Sequence, residues 1–252
     1  MINIYNKIIN RLRRYPYLDL KVAIFDDFID QLTFHGSLAK NTRLKAELLN
    51  LQSVGEKYQF AVDLLNPHQH KIEILSLIRY AMEYEPETIC EIGTAGGGTN
   101  FLLSQCFNKT KKVAGIDLIM KNQHKLKFYT SNIEHCYIRR DSTCPQTIGQ
   151  IKNFFANDGI DFLFIDGDHS YEGVKRDFEL YSPFVNENGL IIFHDIIPDY
   201  KTKLNQDTGR YAGDVPVFWN EVKKNYKHQE FVENKDQDGL GIGLIHWKKD
   251  NH

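Results

Sequence analysis

Cysteine is scarce in this sequence. There are four among 252 residues: Cys90, Cys106, Cys136 and Cys144. No pair has C-x-x-C spacing, so neither a disulfide framework nor a cysteine-rich zinc site is expected, and reduced structural thiols in a cytoplasmic protein are. Long apolar runs are missing too. No window approaches about 18 apolar residues, which leaves nothing to span a membrane. The first residues, MINIYNKIINRLRRYPYLDL, break their apolar positions with Asn, Lys and Arg. They lack the apolar core of about 7–15 residues that a secretory signal needs. An excess of one charge is also absent. Lys and Arg number 31 and Asp and Glu 33, for a formal charge of −2, without the basic surplus of a dedicated nucleic-acid binder. No internal repeat or low-complexity tract is visible. What remains is 42% hydrophobic and 25% charged, ordinary for a globular chain. A chain this long buries roughly 70–75% of its unfolded surface and needs no metal merely to fold.

Apolar residues at helical spacing fill the first part of the chain: Ile8, Ile9 and Leu12, then Leu48, Leu49 and Leu51, then Ala61, Leu64 and Leu65. Residues 1–69 are therefore expected to form an N-terminal helical cap or lid, or an arm for self-association. From residue 70 to 252 the pattern is regular. A helix over 72–82 precedes a strand over 88–92, a glycine-rich turn over 93–98 and a helix over 100–107. Strands over 112–116, 136–139, 161–165 and 189–193 follow, with helices over 121–134, 148–155 and 174–181 between them. This alternation predicts βαβ units and a parallel sheet. The strands are continuous apolar runs, as expected where helices cover both faces. A helix over 215–226 leads to strands over 229–234 and 240–247, joined by Lys235-Asp-Gln-Asp-Gly239. The expected fold is α/β: a doubly wound, mostly parallel seven-stranded sheet with a C-terminal antiparallel hairpin and an N-terminal helical extension.

Ligands of such sheets bind at the carboxyl ends of the strands. Here those ends carry Glu91, Asp117, Asp141, Asp166 and the pair His194-Asp195. The first turn reads Glu91-Ile-Gly-Thr-Ala-Gly-Gly-Gly98. Its glycines let backbone approach a ligand. It fails as a dinucleotide fingerprint, because Ala95 takes the middle glycine position. An acidic residue two places before Gly93 suits a cationic ligand rather than phosphate. Asp117, ending the next strand, is placed to accept hydrogen bonds from ribose hydroxyls, and Asp141 to meet an adenine amino group. S-adenosylmethionine combines cation, ribose and adenine. Candidate cofactor contacts are Glu91, Gly93, Thr94, Gly97, Asp117, Asp141 and Asp166.

The turn and Asp117 resemble the cofactor motifs of class I S-adenosylmethionine-dependent methyltransferases. Asp161-Phe-Leu-Phe-Ile-Asp-Gly-Asp-His-Ser-Tyr-Glu-Gly-Val174, followed by Gly189-Leu-Ile-Ile-Phe-His-Asp195, is more specific. It resembles the branch holding the cephalosporin-hydroxylase-like proteins and the metal-dependent macrolide sugar O-methyltransferases, with catechol O-methyltransferase more distant. The resemblance spans about residues 70–200. It implies a Rossmann-like methyltransferase fold and a divalent metal, Mg²⁺ or Mn²⁺, held at the positions of Asp166, His194 and Asp195. Relatives usually have a carboxylate or amide where His194 stands, so His194 either ligates a softer ion such as Mn²⁺ or points elsewhere. The resemblance further implies that His169 is a general base, with Asp166 beside it in the catalytic set, and that a small-molecule hydroxyl, as of a sugar or glycosylated natural product, accepts the methyl group.

Other readings of these residues stay open. Asp166 and Asp195 would also serve as N-caps of the helices that follow. His169 would also serve as a capping residue. Asp166, His169 and His194 together would make a two-histidine, one-carboxylate iron site for a hydroxylase. A non-catalytic protein could keep the fold. The polar stretch Ile197–Asp214 has the character of a functional loop.

Overall fold

A computed structural model describes residues 16–248; the helical spacing of Ile8, Ile9 and Leu12 lies outside the described residues. Four helices lead in: α1 (Pro16–Gly36), α2 (Leu38–Leu49), α3 (Val54–Leu65) and α4 (Lys71–Ala81). Then come β1 (Thr88–Ile92), α5 (Gly98–Cys106), β2 (Lys112–Asp117), α6 (Gln123–Tyr129), β3 (Glu134–Arg139), α7 (Pro145–Phe155), β4 (Ile160–Ile165), α8 (Tyr171–Tyr181) and β5 (Val185–His194). The chain ends with α9 (Tyr200–Leu204), α10 (Val215–Val222), β6 (His228–Phe231) and β7 (Ile242–His246).

Local chemistry sets several helix starts. Ser53 accepts from Glu56 N, and the Glu56 carboxylate accepts from Ser53 N, a reciprocal cap on α3. Pro145 opens α7, where its missing N–H costs nothing. Ser170 caps α8 through Gly173 N.

The seven strands lie in the order β3-β2-β1-β4-β5-β7-β6. The first five are parallel, and β7 runs against both of its neighbours. The expected parallel sheet and the reversed C-terminal strand are therefore present. β7, however, sits inside the sheet and β6 forms its edge. Strand residues alternate between two apolar layers. Ile89, Val113, Phe162, Phe164 and Ile192 face α3, α4 and α5. Cys90, Ala114, Leu163, Ile165 and Phe193 face α7, α8 and α10. Burial on both sides explains why these strands read as unbroken apolar runs.

Element ends differ from the sequence pattern in identifiable ways. The helix expected over 121–134 spans only Gln123–Tyr129, because the backbone leaves the helical region at Thr130 (φ −115°, ψ 37°). β3 accordingly starts at Glu134 rather than at 136. β5 begins at Val185, with a register shift against β4 between Ile160 and Phe162. The helix expected over 215–226 passes into a 3-10 turn after Val222.

α1 is amphipathic in an inverted sense. Its acidic positions face the sheet domain: Asp27 pairs with Arg139 at 2.8 Å and accepts from Asn122 N, and Asp30 pairs with Lys125 at 2.8 Å. Its apolar positions from Ile24 to Leu32 face outward, with Phe25 and Phe28 each 53% exposed, whereas Phe34 near its end is buried against Phe128 and Tyr129. The helix is thus fastened by charge beside the loop that follows β2 and by Phe34 at its C-terminal end. No helix among the described residues is long and apolar enough to cross a membrane.

Candidate cofactor and metal site

Strand order reverses between β1 and β4, and a doubly wound sheet opens a crevice at such a point. The cleft found there has a volume of about 870 Å³ and is lined from the ends of β1 and β2, the loops after β3, β4 and β5, the start of α8 and the 209–211 segment. That is within the usual range for small-molecule sites.

One half of the cleft is built on the glycine turn and Asp117. Asp117 Oδ2 accepts from Ala95 N at 2.8 Å and Oδ1 from Ile119 N at 2.6 Å. Its carboxylate thereby ties the turn after β1 to its own loop, with Ile116, Leu118 and Ile119 alongside on the wall. Ala95, in place of the middle glycine, still adopts a left-handed φ of 45°, at a cost of about 1–2 kcal/mol for an alanine. The glycines answer to the protein as much as to a ligand. A Cβ on Gly93 (φ +86°) would lie 1.8 Å from Asp166 O, and one on Gly98 would lie 2.5 Å from Pro67 N. Backbone after β4 and before α4 occupies the space that a side chain would need.

Of the expected cofactor contacts, Gly93, Asp117, Asp141 and Asp166 line the cleft, and Glu91, Thr94 and Gly97 are not on its wall. Thr94 is buried, with its hydroxyl on Glu91 O. Gly97 faces Leu126. Glu91 is buried beneath the turn, and its Oε2 has no hydrogen-bond partner. Burial, with Asp166 and Asp117 adding, pushes its carboxyl well above the usual range. Asp141 Oδ1 accepts from Thr143 N and Oγ1, which lower its pKa.

The other half holds a cluster of carboxylates and imidazoles. Asp166, His169 and Asp195 each bring one ligand atom within 4.8 Å of the others. His169 Nε2 lies 3.5 Å from Asp166 Oδ1 and 3.7 Å from Asp195 Oδ2. His194 Nδ1 lies 3.2 Å from each of the same two oxygens, while its Nε2 is buried without a partner. His194 therefore presents to the carboxylates the nitrogen that can donate a hydrogen bond. Asp195 reaches the cluster because its backbone is left-handed (φ 59°), and its Oδ1 is held by Leu240 N at 3.0 Å. Strain of this kind concentrates at working sites.

Neither carboxylate is a helix cap. Ser170 caps α8 and Asp199 caps α9. Asp168 accepts from Ser170 N, a turn contact. Tyr171 bonds Glu221 on the surface.

The loop 197–214 covers His169. Its Tyr211 ring stacks on the imidazole at 5.8 Å and 7°, and Tyr211 O accepts from His169 Nδ1 at 3.0 Å. Asp214 N donates to His169 O. Asp199, almost fully buried, anchors the loop by accepting from Thr202 N and Ala212 N. Because a carbonyl only accepts, Nδ1 carries the proton, and neutral His169 turns a bare Nε2 lone pair toward two carboxylates. Lone pair and oxygens repel unless a cation lies among them. Two protons or one divalent ion would serve, and the pKa directions express this need. The Asp166 hydrogen bond raises His169 against its burial. Burial opposes a charge on His194, but Asp166 and Asp195 lift its pKa well above the ordinary value. Burial would raise Asp166, yet His194 and His169 hold it below the usual carboxylate range. Two hard carboxylates and one imidazole suit Mg²⁺ or Mn²⁺.

Comparison with known proteins agrees with this geometry. Residues 90–196 match the family described as Methyltransferase domain. A protein of Acanthamoeba polyphaga mimivirus is 38% identical over 143 residues, 53% of this chain and 62% of that one. The chain thus spans under two thirds of that curated relative. Among solved structures, the O-methyltransferase TomG of Streptomyces achromogenes, in complex with S-adenosylmethionine, superposes with a TM-score of 0.53 at 13% identity, over 79% of this chain and 91% of that one. The methyltransferase MycE, in complex with Mg, S-adenosylhomocysteine and mycinamycin VI, gives 0.55 at 15% identity, over 79% of this chain and 54% of its own. Residues 90–196 thus match a methyltransferase domain, and they lie within a fold shared with O-methyltransferases solved in complex with S-adenosylmethionine or S-adenosylhomocysteine.

Proposed function

We propose that the protein is an O-methyltransferase that moves the methyl group of S-adenosylmethionine to a hydroxyl of a small molecule, a sugar or a glycosylated natural product, with Mg²⁺ or Mn²⁺ at Asp166 and Asp195. One observation carries the reading: the carboxylate–imidazole cluster shares a single cleft with the glycine turn and Asp117. Bound there, the cation would lower the pKa of the acceptor hydroxyl. The two-carboxylate, one-histidine grouping favours this over an iron site built on both histidines, and MycE, with Mg in its complex, supports it.

The chain's own residues divide the work. Asp117 accepts from the ribose hydroxyls, and Glu91 lies beneath the glycine turn, off the cleft wall. Asp166 and Asp195 hold the cation, and His194 donates Nδ1–H to both. His169, pinned by Tyr211, offers Nε2 to the hydroxyl proton. The remaining contribution is alignment of oxygen, methyl and sulfur under the 197–214 loop.

The test is calorimetry with S-adenosylmethionine, followed by S-adenosylhomocysteine release over a panel of sugar and catechol acceptors. Binding is expected without added metal. Turnover should vanish in chelator and return with Mg²⁺ or Mn²⁺. No cofactor binding would end the proposal, and full turnover in chelator would remove the cation from it.

Asp117→Ala should weaken cofactor binding by about 1–3 kcal/mol, the usual cost of losing hydrogen bonds to a charged partner. Unchanged affinity by the same calorimetry would take the ribose away from Asp117.

A further inference from the structure

Asp166 has two oxygens, and only Oδ1 meets the imidazoles. The other, Oδ2, accepts a hydrogen bond of 2.9 Å from Gln69 Nε2. Gln69 is 5% exposed and stands in the short loop between α3 and α4, 97 positions from Asp166. Thr99, in the first turn of α5, donates its hydroxyl to Gln69 Oε1. The carboxylate decides which way the amide faces. An ionised Asp166 only accepts, so the amide nitrogen must be the end that meets it, and Thr99 holds the oxygen end away.

The loop is held closely in place. Asn66 is left-handed and ends α3. Pro67 lies so near Gly98 that a Cβ there would be 2.5 Å from Pro67 N. Ala61 and Leu65 of α3 belong to the same apolar layer as Phe101 and Leu102 of α5. Gln69 therefore reaches Asp166 from a rigid base.

We infer that Gln69 is a positioning residue. By occupying Oδ2 it leaves Asp166 a single oxygen, Oδ1, directed into the cluster with His169, His194 and Asp195, so that Asp166 acts as a monodentate ligand. This rests on the cation site proposed above. Outer partners of metal-ligating carboxylates fix their orientation, and their loss typically costs about 10–100-fold in metal affinity. Without the Gln69 donor, Asp166 is free to rotate and its second oxygen is left buried and unpaired.

The experiment is Mn²⁺ titration by calorimetry on the full chain as wild type, Gln69→Leu and Thr99→Val, with S-adenosylmethionine affinity measured beside it. Gln69→Leu keeps bulk and cannot donate. Thr99→Val keeps shape and removes the hydroxyl that holds the amide oxygen. Mn²⁺ affinity should fall about 10–100-fold in Gln69→Leu and by a smaller factor in Thr99→Val, while cofactor affinity stays within about threefold. A merely structural role would lower both affinities together, and that result overturns the inference. So does Mn²⁺ affinity within twofold of wild type in Gln69→Leu. Should Gln69→Leu fail to fold, Thr99→Val decides by the same criteria. Absence of Mn²⁺ binding in the wild type would instead remove the cation site itself, and the inference with it.

Discussion

Turnover of His169→Gln is expected to fall by about 10²–10⁴-fold, the usual loss when a general base is removed. The geometry explains why so large an effect would come from a side chain that makes few contacts. Tyr211 O fixes the tautomer, the Tyr211 ring fixes the plane, and Nε2 is left as the one basic atom directed at Asp166 and Asp195. A glutamine fills similar space and can still donate to the Tyr211 carbonyl, but it cannot take a proton near neutral pH. Cofactor affinity should stay nearly constant, since His169 stands across the cleft from Asp117. Single-turnover rates and Mn²⁺ titration on one preparation check the assignment. A loss smaller than about tenfold would return His169 to a supporting role. A parallel loss of Mn²⁺ affinity would make it the third ligand that the 4.8 Å cluster allows.

Gly93→Ala is expected to cost at least about 3 kcal/mol of folding stability, from left-handed backbone strain plus overpacking. The new Cβ would meet Asp166 O at 1.8 Å, inside any contact that atoms tolerate. That oxygen belongs to backbone, so it yields only if the end of β4 moves, and Asp166 with it. For a chain of this size the loss corresponds to a fall in melting temperature of about 6–12 °C. S-adenosylmethionine binding should be lost in the same variant. Gly149→Ala is the control. Gly149 lies inside α7, and a Cβ there meets nothing within 4 Å, so the same substitution should stabilise by about 0.5–1 kcal/mol. A Gly93→Ala melting temperature within 2 °C of wild type would contradict the close approach of β1 and β4 that shapes the cleft.

The sheet was readable because each central strand is an apolar run that stops at a polar residue. Ile160–Ile165 then Asp166, and Gly189–Phe193 then His194-Asp195, mark both the strand and the place where its chemistry lies. The C-terminal pair is readable as strands, and its order is legible in its composition. Ile242-Gly-Leu-Ile-His246 is almost wholly apolar, as a strand with two neighbours must be, whereas His228-Gln-Glu-Phe231 is polar, as befits an edge. Gln69 could not be found in this way. Its loop, Asn66-Pro-His-Gln-His70, has no period and no motif, and its partner is 97 positions away. Tyr211 is similar: its carbonyl and ring act on His169 through a fold-back that no local pattern records. Glu91 shows the reverse error. Its position in the turn motif was legible, but strand alternation carries its side chain beneath the turn instead of onto the cleft wall.

The place of β7 bears on how the chain reaches this state. The last strand of the described chain enters between two strands made before it, and it supplies the neighbours of the catalytic edge: His194 is registered against Ile242, and Asp195 is held by Leu240 N. As the polypeptide leaves the ribosome, at about 5–20 residues per second, β5 waits with one side unpaired until residues 240–246 emerge. During those seconds it is an apolar strand edge open to pairing with another chain. The long-range closure that ends this exposure is the slow kind, since distant segments must meet before any contact rewards them. Competence of the cleft therefore arrives last, in one step with the closing of the sheet, and a nascent chain short of residue 240 has assembled its glycine turn but cannot yet hold Asp195 in place.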